Sequence, residues 1–316
     1  MKQRTFSEVD FATYSKSTRK QEFLRTMNDV LPWDSLIDIV QPYYPNKKNG
    51  RPSIKLETML RIHFLQIWYG LSDPAAEEAI YDSLAMREFA QIDLGTEGAP
   101  DETTICRFRH LLEKYSLGKK IFEELNEYLT KCKIQIRTGT IVDATIISAP
   151  SSTKNKNKAR DPEMHQTRKG NQWYFGMKLH IGVDSRTGLI HSMATTPANT
   201  HDSKLLPELL HGKERRIYGD SAYRNQKKKF LECAPFAKDF TNERAYRNTP
   251  LDETVRKKNR YKSSLRAKVE HPFLFIKRHW HSGKIRYKGL EKNTNWYYIV
   301  CGLVNIYRSR RKLLPT

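Results

Sequence analysis

The sequence is poor in cysteine and in long apolar runs. Its four cysteines, Cys106, Cys132, Cys233 and Cys301, lie far apart and form no C-x-x-C pair. This spacing argues against a structural zinc site and a disulfide framework, and it is typical of the reducing cytoplasm. The N-terminal MKQRTFSEVDF has no signal-like apolar core, and the apolar stretch 296–306 is too short to cross a bilayer. We therefore expect a cytoplasmic protein without a membrane partner.

Acidic residues are scarce in the second half of the chain. Residues 1–140 contain 20 basic and 20 acidic side chains, so the excess of 21 positive charges in this 316-residue chain lies entirely in residues 141–316. A neutral half joined to a strongly cationic half indicates two functional units, one of which faces a polyanion. Charge alone leaves open whether that polyanion is the functional ligand or whether the protein is merely basic and soluble, or ribosome-associated.

The first 133 residues show the period of α-helices. Apolar residues recur at i, i+3 and i+4 within 56–67, which is the spacing of one buried helix face. Pro74 follows Ser72 and Asp73 in an arrangement typical of a helix start, and a further helix is predicted over 101–115. We interpret residues 1–133 as an all-helical N-terminal domain.

The period changes near residue 134, where β-branched residues become frequent. Strands are predicted over 138–148 and 174–183, and a turn at 184–188 predicts a returning strand over 189–195. The later elements are a helix over 202–211, a strand over 216–219, a helix over 226–233, a strand over 236–240, and long helices over 259–279 and 293–313. This order predicts a ribonuclease-H-like α/β domain over residues 134–316, with a mixed sheet flanked by helices.

A polar segment, 151–172, separates the first two predicted strands. It carries six basic residues: Lys154, Lys156, Lys158, Arg160, Arg168 and Lys169. Asp161 and Glu163 are its only acids. This composition predicts a flexible loop, which is either a passive surface feature or a segment that contacts phosphates beside a neighbouring site.

Two aspartates stand at positions where the predicted sheet would bury or converge them. Asp143 lies within the apolar strand IVDATII, and Asp220 follows a strand in RRIYGDSAY. An unpaired buried carboxylate costs on the order of several kcal/mol, so we expect an Arg, a Lys or a metal ion beside Asp143. Ligands collect at the carboxyl ends of strands, so the two aspartates converge if their strands are neighbours. Such a pair of oxygen donors favours Mg²⁺ or Mn²⁺.

A third carboxylate stands alone among cations near the C-terminal end. The segment 256–288 contains twelve basic residues and one acid, Glu270. Arg266 lies one turn before Glu270 and Lys277 two turns after it, so the three share a helix face. Glu270 is either a hub of salt bridges or a metal ligand surrounded by cations. Pro272 should disturb the helix just after it.

An aromatic residue, a helix cap and the absence of nucleophile sets are further features of the sequence. Trp173 is predicted to be a core aromatic at the start of a strand, with stacking on an unpaired base as the alternative. Asp202, in NTHDS, is predicted to cap a helix. No convincing Ser-His-Asp or Cys-His set is found in the sequence.

Several longer stretches resemble the bacterial transposases of the insertion-sequence-five family. These stretches are LPWDSL, LETMLRIHFLQIWYGLSD, PDETTICRFRHLLE, IVDATIISAPSSTKNK, RDPEMHQTRKGNQWYFGMKLHIGVD, RAKVEHPFLFIKR and IRYKGLEKN. The resemblance covers nearly the whole chain. It implies an Asp-Asp-Glu transposase whose catalytic and metal-binding residues are Asp143 in DAT, Asp220 in GDSAY and Glu270 in VEHPF.

One position departs from the family pattern. The family places Tyr, Arg, Glu and Lys at spacings of three, four and seven around its glutamate. Arg266, Glu270 and Lys277 match this pattern, but Ser263 stands at the tyrosine position. The departure weakens any role assigned to a tyrosine there and leaves the metal site unaffected.

The resemblance also implies a reaction and its partners. The expected reaction is metal-dependent cleavage of insertion-sequence ends and strand transfer into target DNA, with two Mg²⁺ or Mn²⁺ ions per active site. The expected partners are double-stranded DNA, as terminal inverted repeats and as target, and further copies of the chain in a homodimer or larger assembly. The protein would be nucleoid-associated when bound to DNA, and its N-terminal domain would bind DNA ends, form the dimer, or do both.

DNA contacts are expected from cations in both halves of the chain. The candidates are Arg266, Lys277, Lys178, Lys154, Lys156, Lys158, Arg160, Arg107 and Arg109. The last two would enter a major groove from the N-terminal domain. Two other functions remain open: a DNA-binding protein without catalysis, which the presence of all three acids disfavours, and a stand-alone nuclease, which does not need the helical domain.

Overall fold

The fold is described from a computed structural model of the chain. It covers residues 16–45, 53–134, 138–223, 226–243 and 252–314. The N-terminal stretch MKQRTFSEVDF lies outside the described residues, whereas every candidate site residue named above lies within them.

The front part of the chain is helical, as predicted. Its helices are α1 (Arg19–Val30), α2 (Trp33–Val40), α3 (Leu56–Tyr69), α4 (Asp73–Asp82), α5 (Leu84–Ala90), α6 (Glu102–Lys114) and α7 (Leu117–Lys131). Side chains satisfy the free N–H groups where several of them begin. Thr18 and Gln21 form a capping box at α1, and the side chains of Ser72 and Asp101 accept backbone N–H groups at α4 and α6.

Helix α3 lies at the centre of this part and is buried on all sides. Twelve of its 14 residues are buried, although its sequence period predicts one buried face. The reason is that other helices surround it: the ring of His63 contacts Phe108 in α6 and Trp296 near the C-terminal end, with ring centroids 6.3 and 5.4 Å apart. Burial lowers the pKa of His63 to about 4, so its ring is neutral at neutral pH.

The second part of the chain forms a mixed sheet. Its strands are β1 (Gly139–Ser148), β2 (His165–Lys169), β3 (Gln172–Asp184), β4 (Ile190–Pro197), β5 (Arg216–Tyr218) and β6 (Lys238–Asp239). The order across the sheet is β4-β3-β1-β5-β6. Strand β3 is antiparallel to β1 and β4, β5 is parallel to β1, and β6 is parallel to β5. This is a ribonuclease-H-like order, so the predicted fold class is confirmed.

Strand β2 was not expected. It pairs with the outer half of β3, from His165 opposite Gly176 to Lys169 opposite Gln172. The prediction of a flexible loop over 151–172 is therefore wrong for its last part. Gly170, in the tight connection between the two strands, has a φ of +62°, which glycine adopts without strain. Most side chains of β2 are exposed, and the strand is polar. The sequence did not predict it because a polar strand lacks the apolar alternation by which strands are recognised.

Two short helices, α8 (Leu206–Leu209) and α9 (Lys227–Cys233), flank β5 in the sequence. The C-terminal part then contains the α-helices α10 (Glu253–Arg266), α11 (Glu270–Leu274) and α12 (Leu290–Leu313). The helix predicted over 259–279 is interrupted by a 3₁₀ turn at Ala267–Val269 and a π-helical turn at Phe275–His279. Pro272 lies in the first turn of α11, where its missing N–H costs no helical hydrogen bond. The interruption makes Glu270 the first residue of α11.

One apolar core joins the helical part to the sheet. It extends from Leu24 in α1 to Ile306 in α12 and includes residues of β1, β3 and β4. The amide of the buried Asn305 in α12 donates hydrogen bonds to Asn126 in α7 and to the carbonyl of Ile190 in β4, at 2.9 and 2.6 Å. The predicted domain boundary lies between α7 and β1, and the core continues across it.

Candidate active site

Asp143, the first of the three predicted catalytic acids, is largely buried. It lies in the middle of β1, opposite Ile181 of β3, with 13% of its side chain exposed. Its Oδ2 lies 2.8 Å from Nη1 of Arg266, and its Oδ1 accepts a hydrogen bond from the Ala144 backbone N–H at 2.8 Å. The sequence predicted an Arg, a Lys or a metal ion beside this carboxylate, and the structure shows an arginine.

Arg266 compensates the buried charge only in part. Burial raises the pKa of Asp143 to about 6 despite the opposing effects of Arg266 and of the Ala144 N–H. The negative charges of Asp220 and Glu270 contribute further to the increase. Both acids therefore lie close enough to Asp143 for their charges to act on it.

Asp220 is aligned with Asp143 by the pairing of two parallel strands. Ile141 of β1 lies opposite Tyr218 of β5, and each aspartate follows two residues after its member of that pair. The expectation that these two strands are neighbours is thus confirmed. The Oδ1 of Asp220 accepts a hydrogen bond from the Ala222 N–H at 2.8 Å, which orients the carboxylate at the end of β5.

Glu270 is exposed at the start of α11, one helical turn after Arg266. Lys277 is half-buried, and burial and the charge of Lys169 lower its pKa, while the charge of Glu270 raises it. Lys277 therefore lies within electrostatic range of both Glu270 and the β2–β3 hairpin.

Within the described ranges, no three His, Cys, Asp or Glu side chains stand in a metal-holding arrangement. The metal-binding role of the three acids thus stays a prediction.

Two of the predicted DNA contacts are engaged in ion pairs within the protein, and their DNA-binding role stays a prediction. Arg109 is 9% exposed; its guanidinium lies 3.0 Å from Asp73 and 2.9 Å from Glu113, and it stacks over the ring of Tyr287. It therefore links α4 and α6 to the segment before α12. The acid four residues after it, Glu113, was a signal in the sequence for this intrahelical pair.

Lys178 is the second of these paired cations. Its Nζ donates to Asp202 and to the Thr200 carbonyl, at 2.8 and 2.7 Å. It lies opposite Ile146 of β1, three residues from Asp143, so its side chain is on the other face of the sheet. The prediction that Asp202 caps a helix is also wrong, because the His201 ring accepts the Ser203 N–H instead.

Arg266 and Lys277 are half-buried, and the other five predicted DNA contacts are exposed. These five are Arg107, Lys154, Lys156, Lys158 and Arg160. Arg160 is partly engaged, since its Nε donates to the Ser151 carbonyl at 2.8 Å and its guanidinium lies over the Phe175 ring.

The two acids of the same segment attach it to α12. Asp161 accepts the Gly289 N–H and Glu163 accepts the Leu290 N–H, each at 2.7 Å. These are free N–H groups at the start of a helix, where negative charge is favoured. The segment 151–164 is thus anchored at its end, while its three lysines remain exposed.

Two aromatic residues near the site were assigned wrongly or missed by sequence reasoning. Trp173 is 63% exposed, so the prediction of a core aromatic is wrong. Tyr223, in GDSAY, is 1% exposed and its hydroxyl has no hydrogen-bond partner in the described part of the chain. Burial raises the pKa of Tyr223, and the charges of Asp202, Asp143 and Asp220 raise it further. Its only signal in the sequence was its place three residues after Asp220.

The second half of the chain is strongly cationic, and its ribonuclease-H-like sheet carries two aligned aspartates at its centre. These features are those of an enzyme of phosphoryl transfer on nucleic acid. The family described as "Transposase DDE domain" matches residues 135–306, and the family described as "Transposase domain (DUF772)" matches residues 12–111. The first match covers more than half of the chain, so the protein belongs to the DDE-domain transposase family. It is a DNA transposase, an enzyme that cleaves DNA and transfers strands.

The pair of matched domains is consistent with the insertion-sequence-five group. The structure is also similar to the piggyBac transposase synaptic complex with hairpin DNA, with a TM-score of 0.47 and 10% identity over 92% of this chain and 73% of the other. Among the residues that the structure describes, no helix is long and apolar enough to cross a membrane.

The two neighbouring arginines of α6 should differ sharply when each is replaced. Arg109→Gln leaves Asp73 and Glu113 without their cation in a largely buried place, so unfolding should become easier by about 3 kcal/mol. Arg107→Gln is the matched control, since it alters only an exposed side chain, and it should leave the unfolding free energy unchanged. Urea denaturation of both variants measures this difference. Equal stability of the two variants would contradict the structural role of Arg109.

Proposed function

We propose that Asp143, Asp220 and Glu270 are the catalytic carboxylates of this transposase, and that they bind two Mg²⁺ or Mn²⁺ ions per active site. The observation that carries the proposal is the alignment of β1 with β5, which places the two aspartates at the same level on adjacent strands. Glu270 completes the set from α11, and its charge acts on Asp143. The three residues also match the Asp-Asp-Glu pattern of the family that the chain resembles.

The donor set fits hard divalent cations. All three side chains offer carboxylate oxygens, which are the preferred ligands of Mg²⁺ and Mn²⁺. Asp143 is buried, and Arg266 does not fully offset the cost of its charge, so additional positive charge would stabilise it. Bound divalent ions would supply Lewis-acid stabilisation of charge developing on the phosphate oxygens.

Arg266 and Lys277 position the DNA phosphate in this proposal. Arg266 presents a guanidinium, whose planar geometry suits two oxygens of a phosphate as well as a carboxylate. In the protein without DNA it is paired with Asp143 at 2.8 Å. When DNA binds, the guanidinium transfers from the carboxylate to the phosphate, which frees Asp143. Lys277, which follows Glu270 in the sequence as Arg266 precedes it, adds a second positive charge.

The reaction needs no protein nucleophile. Water attacks the scissile phosphorus in line, a new P–O bond forms, and the bond to the leaving 3′-oxygen breaks, so that a free 3′-hydroxyl remains at the element end. That hydroxyl then attacks a target phosphate in the same way. The protein's contribution is to position charge and substrate. Because two element ends must be brought together, we expect a homodimer or a larger assembly on the DNA.

The catalytic assignment is tested by isosteric replacement. Asp143→Asn, Asp220→Asn and Glu270→Gln should each abolish cleavage of element-end DNA, while DNA affinity stays largely unchanged. Asp239→Asn is the matched control, because Asp239 is an exposed acid of β6 in the same sheet, and it should keep full activity. Cleavage is followed on labelled duplexes with Mg²⁺. Retained cleavage in the Asp143 variant would overturn the assignment.

Removal of the resident arginine should change metal binding. Arg266→Gln removes a positive charge from beside Asp143, so Mn²⁺ should bind the DNA-free protein about tenfold more tightly, a change of about 1.4 kcal/mol. Calorimetric titration with Mn²⁺ measures the affinity, and Arg278→Gln, an exposed arginine of the same segment, is the control. An unchanged affinity in Arg266→Gln would show that the arginine does not compete with the metal. Cleavage by this variant should fall, since the phosphate loses a contact.

The exposed lysines of the anchored segment are proposed to bind the DNA backbone. Replacement of Lys154, Lys156 and Lys158 together by Ala should weaken binding to all duplexes alike, because phosphate contacts carry no sequence information. The slope of log affinity against log salt should become shallower by up to about 2.7, the value for three phosphate contacts. The control pair is Lys119→Ala with Lys131→Ala, two lysines of α7 beside glutamates. An unchanged salt slope would make the segment a passive surface feature.

A further inference from the structure

Lys268 lies between two residues of the proposed site, Arg266 and Glu270, in the 3₁₀ turn that separates α10 from α11. The segment around it is rich in cations, but the ammonium group of Lys268 is bound within the protein. Its Nζ donates a hydrogen bond to the Ser185 carbonyl at 2.8 Å and lies 3.5 Å from the Arg186 carbonyl. Both carbonyls belong to the turn between β3 and β4, so Lys268 joins the end of α10 to that turn.

The turn that accepts this lysine is itself held by hydrogen bonds. The Oδ1 of the fully buried Asp184 accepts the backbone N–H of Arg186 at 2.9 Å. The Ser185 N–H donates to the carbonyl of Gly139, the first residue of β1, at 2.8 Å. The carbonyls that Lys268 approaches therefore belong to a fixed part of the sheet.

Contacts at three residues hold the 3₁₀ turn on the sheet. Arg266, just before the turn, pairs with Asp143 in the middle of β1 at 2.8 Å, and Val269, its last residue, is fully buried in the main core. Lys268 adds a contact beside the first residue of β1, which stands four residues before Asp143. Four residues of a strand span about 13 Å. The polar contacts thus attach the turn at two separate levels of β1, so it cannot pivot about one of them.

The contact of Lys268 gains importance when the ion pair is released. In the proposed function, Arg266 leaves Asp143 for the DNA phosphate, which removes the attachment at the middle of β1. Lys268 donates to uncharged carbonyls that take no part in this exchange, so its hydrogen bond persists. It keeps the turn on the sheet, and Glu270, two residues after Lys268, stays in place.

We propose that Lys268 is a positioning residue of the DNA-cleavage reaction, which holds Glu270 in place while Arg266 changes its partner. It touches no reacting atom and acts through Glu270. The inference rests on the proposed function, because that function supplies both the exchange of partners and the metal-binding role of Glu270. The other role open to a lysine in this cationic segment is a direct contact with a DNA phosphate, and the two roles predict different changes.

The test compares Lys268→Met with the wild type in the full-length protein. Methionine keeps most of the apolar length of the side chain and removes the ammonium group. With saturating element-end duplex, Lys268→Met should cleave about tenfold more slowly, and half-maximal cleavage should require about tenfold more Mg²⁺, because a misplaced Glu270 is a weaker ligand. The KM for DNA and the salt dependence of DNA affinity should not change. Lys268→Arg should recover most of the rate, since a guanidinium can donate to the same carbonyls.

Lys257→Met is the matched control. It removes the same charge from α10, but Lys257 is an exposed side chain 3.3 Å from Glu253, more than two helical turns before Arg266. This variant should cleave at the wild-type rate and with the wild-type requirement for Mg²⁺.

Two results would overturn the positioning role. One is a wild-type cleavage rate in Lys268→Met. The other is an unchanged saturating rate together with a salt slope of DNA affinity that becomes shallower by about 0.9, the value for one phosphate contact. Either result leaves the proposed function standing if Glu270→Gln is inactive, whereas cleavage by Glu270→Gln would contradict the proposed function itself.

Discussion

The buried carboxylate of Asp143 is the constraint on which the arrangement of the catalytic half depends. A charge in the middle of a central strand must be neutralised, and the neutralising group, Arg266, lies 123 residues further along the chain. The ion pair holds the end of α10 against the sheet. A 3₁₀ turn at Ala267–Val269 follows α10, and Glu270 comes directly after it, close enough for its charge to act on Asp143.

The helical part is joined to this site through the segment that precedes α12. Tyr287 lies against Arg109 of α6, and Arg286 donates to the Leu71 carbonyl before α4. Gly289 and Leu290 bind the acids of the segment that follows β1. The helical part, the lysine-bearing segment and the start of α12 thus belong to one contact network. A truncation at the predicted domain boundary would remove the partners of α12 from a shared core, so it would not test the catalytic part alone.

The sequence predicted regular elements well where burial produced a clear period. The β-branched run around Asp143 and the capped helices at Ser72 and Asp101 were found because each signal is local. Strand β2 was missed because a two-stranded ribbon with both faces in water has no apolar alternation. Trp173 was misassigned for a related reason: composition favours a buried indole, and only the length of the hairpin beyond the core shows that it is exposed.

By itself, the sequence determined most of the order of helices and strands and the cationic character of the second half, which follow from period and composition. The identity of the three candidate acids follows from the resemblance of its motifs to a transposase family. The tertiary structure decided which charges were free to act. The sequence did not show that Asp73 and Asp202 pair with Arg109 and Lys178, whereas Arg107 and the lysines at 154–158 stay exposed. The two ion pairs bridge distant segments, and only folding brings such partners within hydrogen-bond distance.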